Sequence, residues 1–291
     1  MKGKLNMKHA ILVCAHGDMS ILKWTMRILD CDNIDFFLHI DAKTTISPDE
    51  FEGVCKKSKV YLTRRIKVYW ATYTQVQCEL ILLKAALNGT YDYFHLISGA
   101  DLPIKTADEF LRFFGEADTE YIVKWKTCSR NWNRINYAYP FLKYYKRSPN
   151  KIINIIRKGI YTRVLRIPIS RKREMGQKAL VAGDNWFSIT RKLAEYVVAQ
   201  EDWIKLVFEH GYTVDELFVQ TITYNSSEFQ SRTSNFGTRL IDWRRGKPYV
   251  WRIEDLPEIM RSDAIFCRKF DMKVDSQIVN SIVDWLLKDK E

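Results

Sequence analysis

Short apolar runs alternate with helical apolar patterns over the first 125 residues of the chain. Runs at residues 8–14, 34–40 and 93–97 have the length of buried strands, and the spacing of apolar side chains at residues 19–29 and 74–87 predicts helices between them. A strand followed by a helix and another strand usually forms a parallel pair. This order therefore predicts an α/β fold with a Rossmann-like mixed sheet flanked by helices.

The rest of the pattern predicts shorter elements in mixed order. They are, as strands, residues 59–63, 186–190, 239–243 and 249–251, and, as helices, residues 48–57, 192–200, 203–208, 254–262 and 276–288. Because no internal repeat or low-complexity linker divides the chain, we expect a single domain over residues 1–291. Within it, residues 1–125 would form a nucleotide-binding half, 126–178 a basic insertion and 179–291 an acceptor and catalytic half.

The apolar run at residues 93–97 ends in small residues, the carboxylate of Asp101 and a proline. A strand that ends in this way delivers a polar group to the carboxyl edge of the sheet, where open α/β sheets bind their ligands. The same residues also fit an ordinary strand-to-helix loop in which Asp101 forms a turn and Thr106 caps the next helix.

The net charge of +11 comes from one segment of the chain. Residues 143–178 hold twelve Lys or Arg and a single acid, Glu174, whereas the remaining residues hold 34 charges of each sign. Isoleucine, valine, leucine and tyrosine alternate with these basic residues at roughly helical spacing. Such a segment suits an anionic membrane surface or a charged acceptor. It could instead pack its apolar face on the protein, and no recognised nucleic-acid motif accompanies it.

Several ligand classes leave no signature in the sequence. It contains neither the GxGxxG dinucleotide fingerprint nor the GxxxxGK[ST] phosphate loop, and its six cysteines stand singly, without the spacing of a zinc site. No stretch reaches 18 apolar residues, so we expect a protein that does not span a membrane. A DxD pattern occurs at residues 30–32, but it precedes a predicted strand instead of following one, so we expect no metal there.

Two polar clusters in the second half could carry chemistry. Thr213 and Glu216 fit a helix capping box, yet a glutamate held at a helix start beside a cleft could also serve as a general base. Arg268 and Lys269 lie between apolar residues, and Arg245 belongs to another basic cluster. Such cations would interact strongly with a diphosphate.

Motifs spread over residues 8–285 resemble, in their order, glycosyltransferase family 14. This family includes core-2/I-branching β-1,6-N-acetylglucosaminyltransferases and protein O-xylosyltransferases. The matching pieces are Ala15-His16, His39-Ile40-Asp41, Trp70-Ala71, the helix at 75–87, residues 96–105, Gly183, Trp186-Phe187, Asp215-Glu216, Ile241-Asp242-Trp243 and residues 266–271. Each piece alone is weak, but the whole series in order is specific to the family.

The resemblance implies a type-A glycosyltransferase fold, an inverting reaction, and neither a divalent metal nor another cofactor. By position, Glu216 matches the catalytic base that deprotonates the acceptor hydroxyl. Lys269 matches the lysine that neutralises the leaving diphosphate, and Arg245 is the preferred partner arginine, with Arg252 as the alternative. Such cations can replace a metal as stabilisers of the leaving group.

The resemblance also implies roles for side chains around the cleft. His16, Asp41 and Trp70 would bind the donor, with Asp41 near the uridine and Trp70 near the donor sugar. A second group would line the cleft or contact the acceptor. It consists of Asp101, Trp186 and Asp215.

The function predicted in this way is transfer of a sugar, first of all N-acetylglucosamine, from a UDP-sugar to a hydroxyl of a carbohydrate acceptor in surface polysaccharide or glycolipid synthesis. Xylose or another UDP-sugar is the alternative donor. A glycosidase with paired carboxylates such as Asp101 and Glu216, and a non-catalytic membrane- or anion-binding module, remain as alternatives of other classes. The sequence lacks the anchor and disulfides of eukaryotic members, so we expect a bacterial-type cytoplasmic enzyme, peripheral at the inner face of the membrane.

Overall fold

The computed structural model describes residues 7–115, 118–125, 129–145, 148–246 and 248–288. The strands are β1 (His9–Ala15), β2 (Ile34–Ile40), β3 (Val60–Leu62), β4 (Tyr93–Ser98), β5 (Leu102–Pro103), β6 (Glu120–Lys124), β7 (Tyr137–Ala138), β8 (Ile167–Pro168), β9 (Gly183–Thr190), β10 (Thr233–Ser234), β11 (Arg239–Ile241) and β12 (Phe266–Arg268). The α-helices are α1 (Ser20–Ile28), α2 (Thr74–Leu87), α3 (Ala107–Phe114), α4 (Lys151–Gly159), α5 (Lys172–Met175), α6 (Arg191–Val198), α7 (Glu201–Phe208), α8 (Phe218–Tyr224), α9 (Ser227–Ser231), α10 (Leu256–Met260) and α11 (Ser276–Leu287).

The main sheet has seven strands in the order β10-β6-β9-β4-β1-β2-β3. Strands β4, β1, β2 and β3 pair in parallel, as the alternation of strands and helices predicts, whereas β9 pairs antiparallel with both β4 and β6. A small sheet of β11, β12 and β5 lies beside it in the fold. The predicted α/β fold with a mixed sheet flanked by helices is therefore confirmed.

After His9, the central strand β1 is apolar because both faces of the sheet are covered. Ala10 and Leu12 belong to one hydrophobic cluster, together with residues of α2, α6, α7 and α8. Ile11 and Val13 point to the other cluster, which includes residues of α1, α3 and α11. Each cluster draws side chains from both the first and the last part of the chain, so the two parts share one core.

The predicted strands and helices of the first half are confirmed with small shifts at their ends, but three local predictions are wrong. Residues 48–57 form only a short 3₁₀ turn, Pro48–Phe51, and residues 249–251 form no strand. Thr213 does not cap a helix. It adopts a left-handed backbone with φ of 47° and makes no capping hydrogen bond, whereas Thr106 does cap α3, in a capping box with Glu109.

The predicted basic insertion contains the antiparallel pair β7 and β8, with α4 between the two strands in sequence. Its residues 126–128 and 146–147 lie outside the described residues, as do residues 1–6, 116–117, 247 and 289–291 of the other predicted spans. Within the described ranges, no helix is long and apolar enough to cross a bilayer.

Candidate active site

The carboxyl ends of three neighbouring parallel strands meet at one edge of the main sheet. Strand β1 lies between β2 and β4, and His16, Asp41 and Asp101 follow these three strands. This edge is the place where open α/β sheets bind ligands. The backbone thus brings the predicted donor residues His16 and Asp41 to the same side of the sheet.

Asp41 organises the loop between β2 and Trp70. Its side chain is nearly buried, and its Oδ1 accepts hydrogen bonds from the backbone N–H groups of Lys43 at 2.9 Å and Val68 at 3.4 Å. The Lys43 ammonium lies 3.2 Å from Oδ2 and 4.8 Å from the centre of the Tyr69 ring. The charge of Asp41 is therefore balanced within its own loop.

Trp70 forms an aromatic surface at the end of that loop. Its ring centre lies 5.1 Å from Tyr145 and 6.1 Å from Tyr212, and its side chain is partly open to solvent. The Lys158 ammonium lies 5.0 Å from the centre of the same ring. An exposed indole with an amphipathic face is suited to pack against a sugar ring.

A network of hydrogen bonds fastens this loop to the turn that carries Glu216. Ala71 and Thr213 both have positive φ, 65° and 47°, and the Thr213 N–H donates to the Ala71 carbonyl at 2.9 Å. Gln75 on α2 joins the same pair of segments, because its Oε1 accepts from the Ala71 N–H at 2.5 Å while its Nε2 donates to Asp215 Oδ2 at 2.8 Å. Non-glycine residues rarely adopt positive φ, and such residues cluster at functional sites.

Glu216 ends the 3₁₀ turn Val214–Glu216 with about a third of its side chain exposed. Its Oε2 accepts a hydrogen bond from Arg134 Nη2 at 2.7 Å, and Arg134 also donates to the backbone carbonyls of Tyr212 and Thr213. Burial raises the pKa of Glu216, and the Arg134 guanidinium acts in the opposite direction. The site thus holds one fixed carboxylate that is both accessible and basic.

Asp215, next to Glu216 in the chain, is enclosed. It is almost fully buried, and its Oδ1 has no hydrogen-bond partner within the described ranges. Burial, reinforced by the charge of Glu216, raises the pKa of Asp215 to about 7. In this position Asp215 supports the turn through Gln75 and does not line the cleft as the sequence prediction had it.

Asp101 is also enclosed. It is fully buried, its Oδ2 accepts from the Ser98 N–H at 2.9 Å, and its Oδ1 accepts from the Ser98 hydroxyl at 2.6 Å. Arg268 Nη1 lies 3.3 Å from Oδ1, and its guanidinium stacks 4.1 Å from the ring centre of Trp186. Because Asp101 is buried, it does not line the cleft as predicted. The glycosidase alternative paired Asp101 with Glu216, and of these two carboxylates only Glu216 is accessible. The predicted acceptor contact of Trp186 stays a prediction.

The cationic side chains that were predicted to bind the diphosphate differ in their contacts with the rest of the protein. The half-buried Lys269 side chain makes no hydrogen bond or ion pair with any residue in the described part of the chain. Arg245 faces three carboxylates, those of Asp242, Asp255 and Glu258. The ammonium of Lys269 is therefore available to an anion, whereas the guanidinium of Arg245 already has partners. The alternative, Arg252, is exposed.

Sequence reasoning missed Arg134 and Gln75 as parts of the site, and it considered Arg268 only as a cation for a diphosphate, not as the partner of Asp101. Arg134 lies 82 residues before Glu216, and Gln75 lies 140 residues before Asp215. No local pattern marks either pairing: Arg134 falls in no motif, and the matched helix at 75–87 does not indicate that its first residue pairs with Asp215. Among the described residues, we find no group of three or more His, Cys, Asp and Glu side chains placed to hold a metal ion.

Comparisons with known proteins agree with the motif series. The family model described as Core-2/I-Branching enzyme matches residues 10–263. A protein named beta-glucuronosyltransferase GlcAT14B of Arabidopsis thaliana is 23% identical over 90% of this chain, and xylosyltransferase 2 of Rattus norvegicus is 23% identical over 96% of it. The alignments cover only 64% and 33% of those relatives, less than two thirds of either. Among solved structures, that of HddC from Yersinia pseudotuberculosis covers 65% of this chain and 79% of its own, with 12% identity and a TM-score of 0.32.

Proposed function

The chain belongs to the Core-2/I-branching enzyme family, and from this premise we propose that it is an inverting glycosyltransferase that uses a UDP-sugar and needs no divalent metal. The observation that carries the proposal is the state of Glu216. This carboxylate is held by Arg134, remains partly open to solvent, and has a pKa raised by burial. A general base requires this combination of fixed position, access and raised basicity.

In the proposed reaction, a hydroxyl oxygen of the acceptor attacks C1 of the donor sugar. Glu216 takes the hydroxyl proton, the new C–O bond forms on one face of C1, and the bond to the diphosphate breaks on the opposite face. The diphosphate leaves with the bonding electrons, so that C1 is inverted. The Lys269 ammonium, with Arg245 as its predicted partner, stabilises the charge that develops on the leaving group. Arg134 acts through Glu216 and is therefore a positioning residue.

The donor sugar is proposed to be N-acetylglucosamine, bound against Trp70. The position of Lys158 favours a second candidate, glucuronic acid. An ammonium 5.0 Å from the Trp70 ring centre could pair with the carboxylate of a uronic acid that packs on this ring. Some of the relatives are named as glucuronosyltransferases and others as xylosyltransferases.

The acceptor is proposed to be a carbohydrate destined for surface polysaccharide or glycolipid, and the reaction to take place at the inner face of the membrane. Support comes from the basic segment at residues 143–178, because Tyr145 and Lys158 of this segment both contact Trp70. An acceptor that binds along this segment would therefore reach Trp70, the proposed platform for the donor sugar.

The test of this function is the thermal stability of the purified protein with UDP-N-acetylglucosamine, UDP-glucuronic acid and UDP-xylose, each with and without EDTA. A ligand that binds only the folded state raises the melting temperature. We expect one UDP-sugar to stabilise the protein equally in the presence of EDTA, and the same sugar to be transferred. A stabilisation that disappears with EDTA and returns with manganese would contradict the metal-free mechanism.

A further inference from the structure

Helix α4 exposes isoleucines to solvent. It begins after Asn150, whose side chain accepts hydrogen bonds from the Ile152 and Ile153 N–H groups, and none of its residues is buried. Ile152, Ile155 and Ile156 keep 66%, 68% and 56% of their surface exposed. Large aliphatic side chains that are grouped in this way on a protein surface generally mark a binding site for another molecule or a membrane.

The exposed side chains recur at helical spacing. Ile155 and Ile156 follow Ile152 by three and four residues, and Ile160 and Val164 come at further steps of four; α4 continues into a π-helical turn over Ile160–Val164. Residues at this spacing lie along one side of a helix. We call these five residues the isoleucine face. Its members are all exposed.

Basic residues surround the isoleucine face. In residues 143–178 the structure describes ten of the twelve Lys and Arg, among them the exposed Lys151, Arg163, Lys172 and Arg173. The single acid of the segment, Glu174, already pairs with Arg171 at 3.6 Å. An apolar stripe bordered by cations matches a surface that combines hydrocarbon with negative charge.

We propose that the isoleucine face docks on an anionic lipid membrane. The isoleucines would enter the boundary between head groups and acyl chains, and the neighbouring Lys and Arg side chains would contact lipid phosphates. A second copy of the chain fits this surface poorly. A two-fold contact would bring two segments of net charge +11 together. A nucleic acid would match the charge but would leave the isoleucines in water.

Docking through this face would bring the proposed active site to the membrane. Lys158 belongs to α4 and lies over Trp70, so the helix adjoins the proposed sugar platform. A lipid-linked acceptor would then need to extend only a short way from the bilayer. The docking itself does not depend on the transfer reaction, so the two proposals can fail separately.

The experiment is co-sedimentation of the full chain with vesicles of phosphatidylcholine alone and of phosphatidylcholine mixed with phosphatidylglycerol. We expect binding to the mixed vesicles that weakens with added salt. The triple variant Ile152→Gln, Ile155→Gln, Ile156→Gln should bind at least about tenfold more weakly, because three aliphatic side chains no longer insert. The variant Lys151→Gln with Arg163→Gln should lose about fivefold for each charge removed.

A matched control is Leu206→Gln on α7, since this leucine is also exposed but lies outside the basic segment. The variants replace exposed side chains, so their melting temperatures should stay at the wild-type value. Equal vesicle binding by the triple variant would overturn the proposal. So would equal binding to both kinds of vesicle, or a wild-type protein that ignores vesicles but forms dimers that the triple variant cannot form.

Discussion

At the scale of single residues, the proposed base depends on the balance between burial and one cation. Burial of Glu216 disfavours its charged form and raises its pKa, while Arg134 at 2.7 Å stabilises the charge. A carboxylate that is too strongly stabilised would be a weak base, and one without the cation would have a still higher pKa. Arg134 therefore sets the pH range in which Glu216 can accept a proton.

Replacement of Arg134 by Met should shift the pH dependence of the reaction. Loss of the cation raises the pKa of Glu216 further, so the base becomes protonated at a higher pH and the acid limb of the kcat/KM profile moves upward. Activity should fall most at low pH and recover partly at high pH. Arg134→Lys retains a cation and should give a smaller shift. An unchanged profile with a uniformly lower rate would indicate a structural role only.

Gln75 is the second residue whose importance follows from its contacts. Gln75→Leu removes a donor from Asp215 and an acceptor from the Ala71 N–H, so the buried Asp215 carboxyl loses its side-chain partner in the described part of the chain. An unsatisfied buried polar group costs about 1–3 kcal/mol. We expect urea unfolding to show this loss of stability. We also expect kcat to fall, because the loop that ends at Trp70 (the Trp70 loop) and the turn Val214–Glu216 (the Glu216 turn) are no longer joined.

The control for Gln75 is Gln77→Leu, a substitution on the same helix at an exposed position. This change should leave both the stability and kcat nearly unaltered. If Gln75→Leu behaved in the same way as Gln77→Leu, the hydrogen bonds between α2, the Trp70 loop and the Glu216 turn would not matter for the site.

At the scale of secondary structure, the buried strands were predictable and the turns were not. Strands β1, β2 and β4 are mostly apolar runs because both faces of the sheet are covered, and such runs have few alternative structures. The turn at Thr213 resembles a capping box in sequence, but the hydrogen bond from its N–H to Ala71 holds it in a left-handed conformation. Tertiary contacts of this kind are invisible to a local pattern.

The central strands also enclose two histidines that act as a pair. His9 on β1 and His95 on β4 lie with Nδ1 and Nε2 3.1 Å apart, and His95 contacts Ser188 on β9 at 2.9 Å. Arg239 donates to the same Ser188 hydroxyl at 2.9 Å. Burial lowers the pKa of His9 to about 3 and lowers that of His95 as well. Both imidazoles are therefore neutral in the folded protein at neutral pH.

Because the two histidines are neutral in the folded protein, we predict that the protein becomes less stable to unfolding in mild acid. Between pH 6.5, the ordinary pKa of histidine, and about 3, the unfolded chain binds a proton at residue 9 that the folded chain does not. The free energy of unfolding should therefore fall as the pH falls, by about 1.4 kcal/mol per pH unit for His9. Urea unfolding at several pH values measures the slope, and His9→Gln should reduce it. An equal slope in the two proteins would refute the assignment.

At the scale of the whole molecule, chain topology brings the site together. The motif series and the order of strands led to the sheet edge that holds His16 and Asp41, and the resemblance indicated Glu216 and Lys269. The environment of each residue required the structure. Asp101 is buried whereas Glu216 is accessible. Arg245 forms ion pairs with carboxylates, whereas Lys269 forms none with the described residues. Sequence patterns do not report which of two carboxylates faces a cleft.

The uneven charge is a second property of the whole molecule. Outside residues 143–178 the acids and bases are equal in number, so the excess charge and the isoleucine face occupy the same part of the chain. Within the described residues, contacts of Lys158 and Tyr145 with Trp70 connect this part to the proposed site. A single orientation at an anionic surface would serve both docking and catalysis.

The most direct test of the proposed catalysis is Glu216→Gln, compared with Glu209→Gln at an exposed position. Donor binding is measured as thermal stabilisation by the UDP-sugar that stabilises the wild type, and turnover as transfer to a carbohydrate acceptor. We predict that Glu216→Gln keeps the stabilisation but transfers at least about a hundredfold more slowly, since the amide cannot accept the hydroxyl proton. Glu209→Gln should match the wild type. Turnover retained by Glu216→Gln would contradict the account.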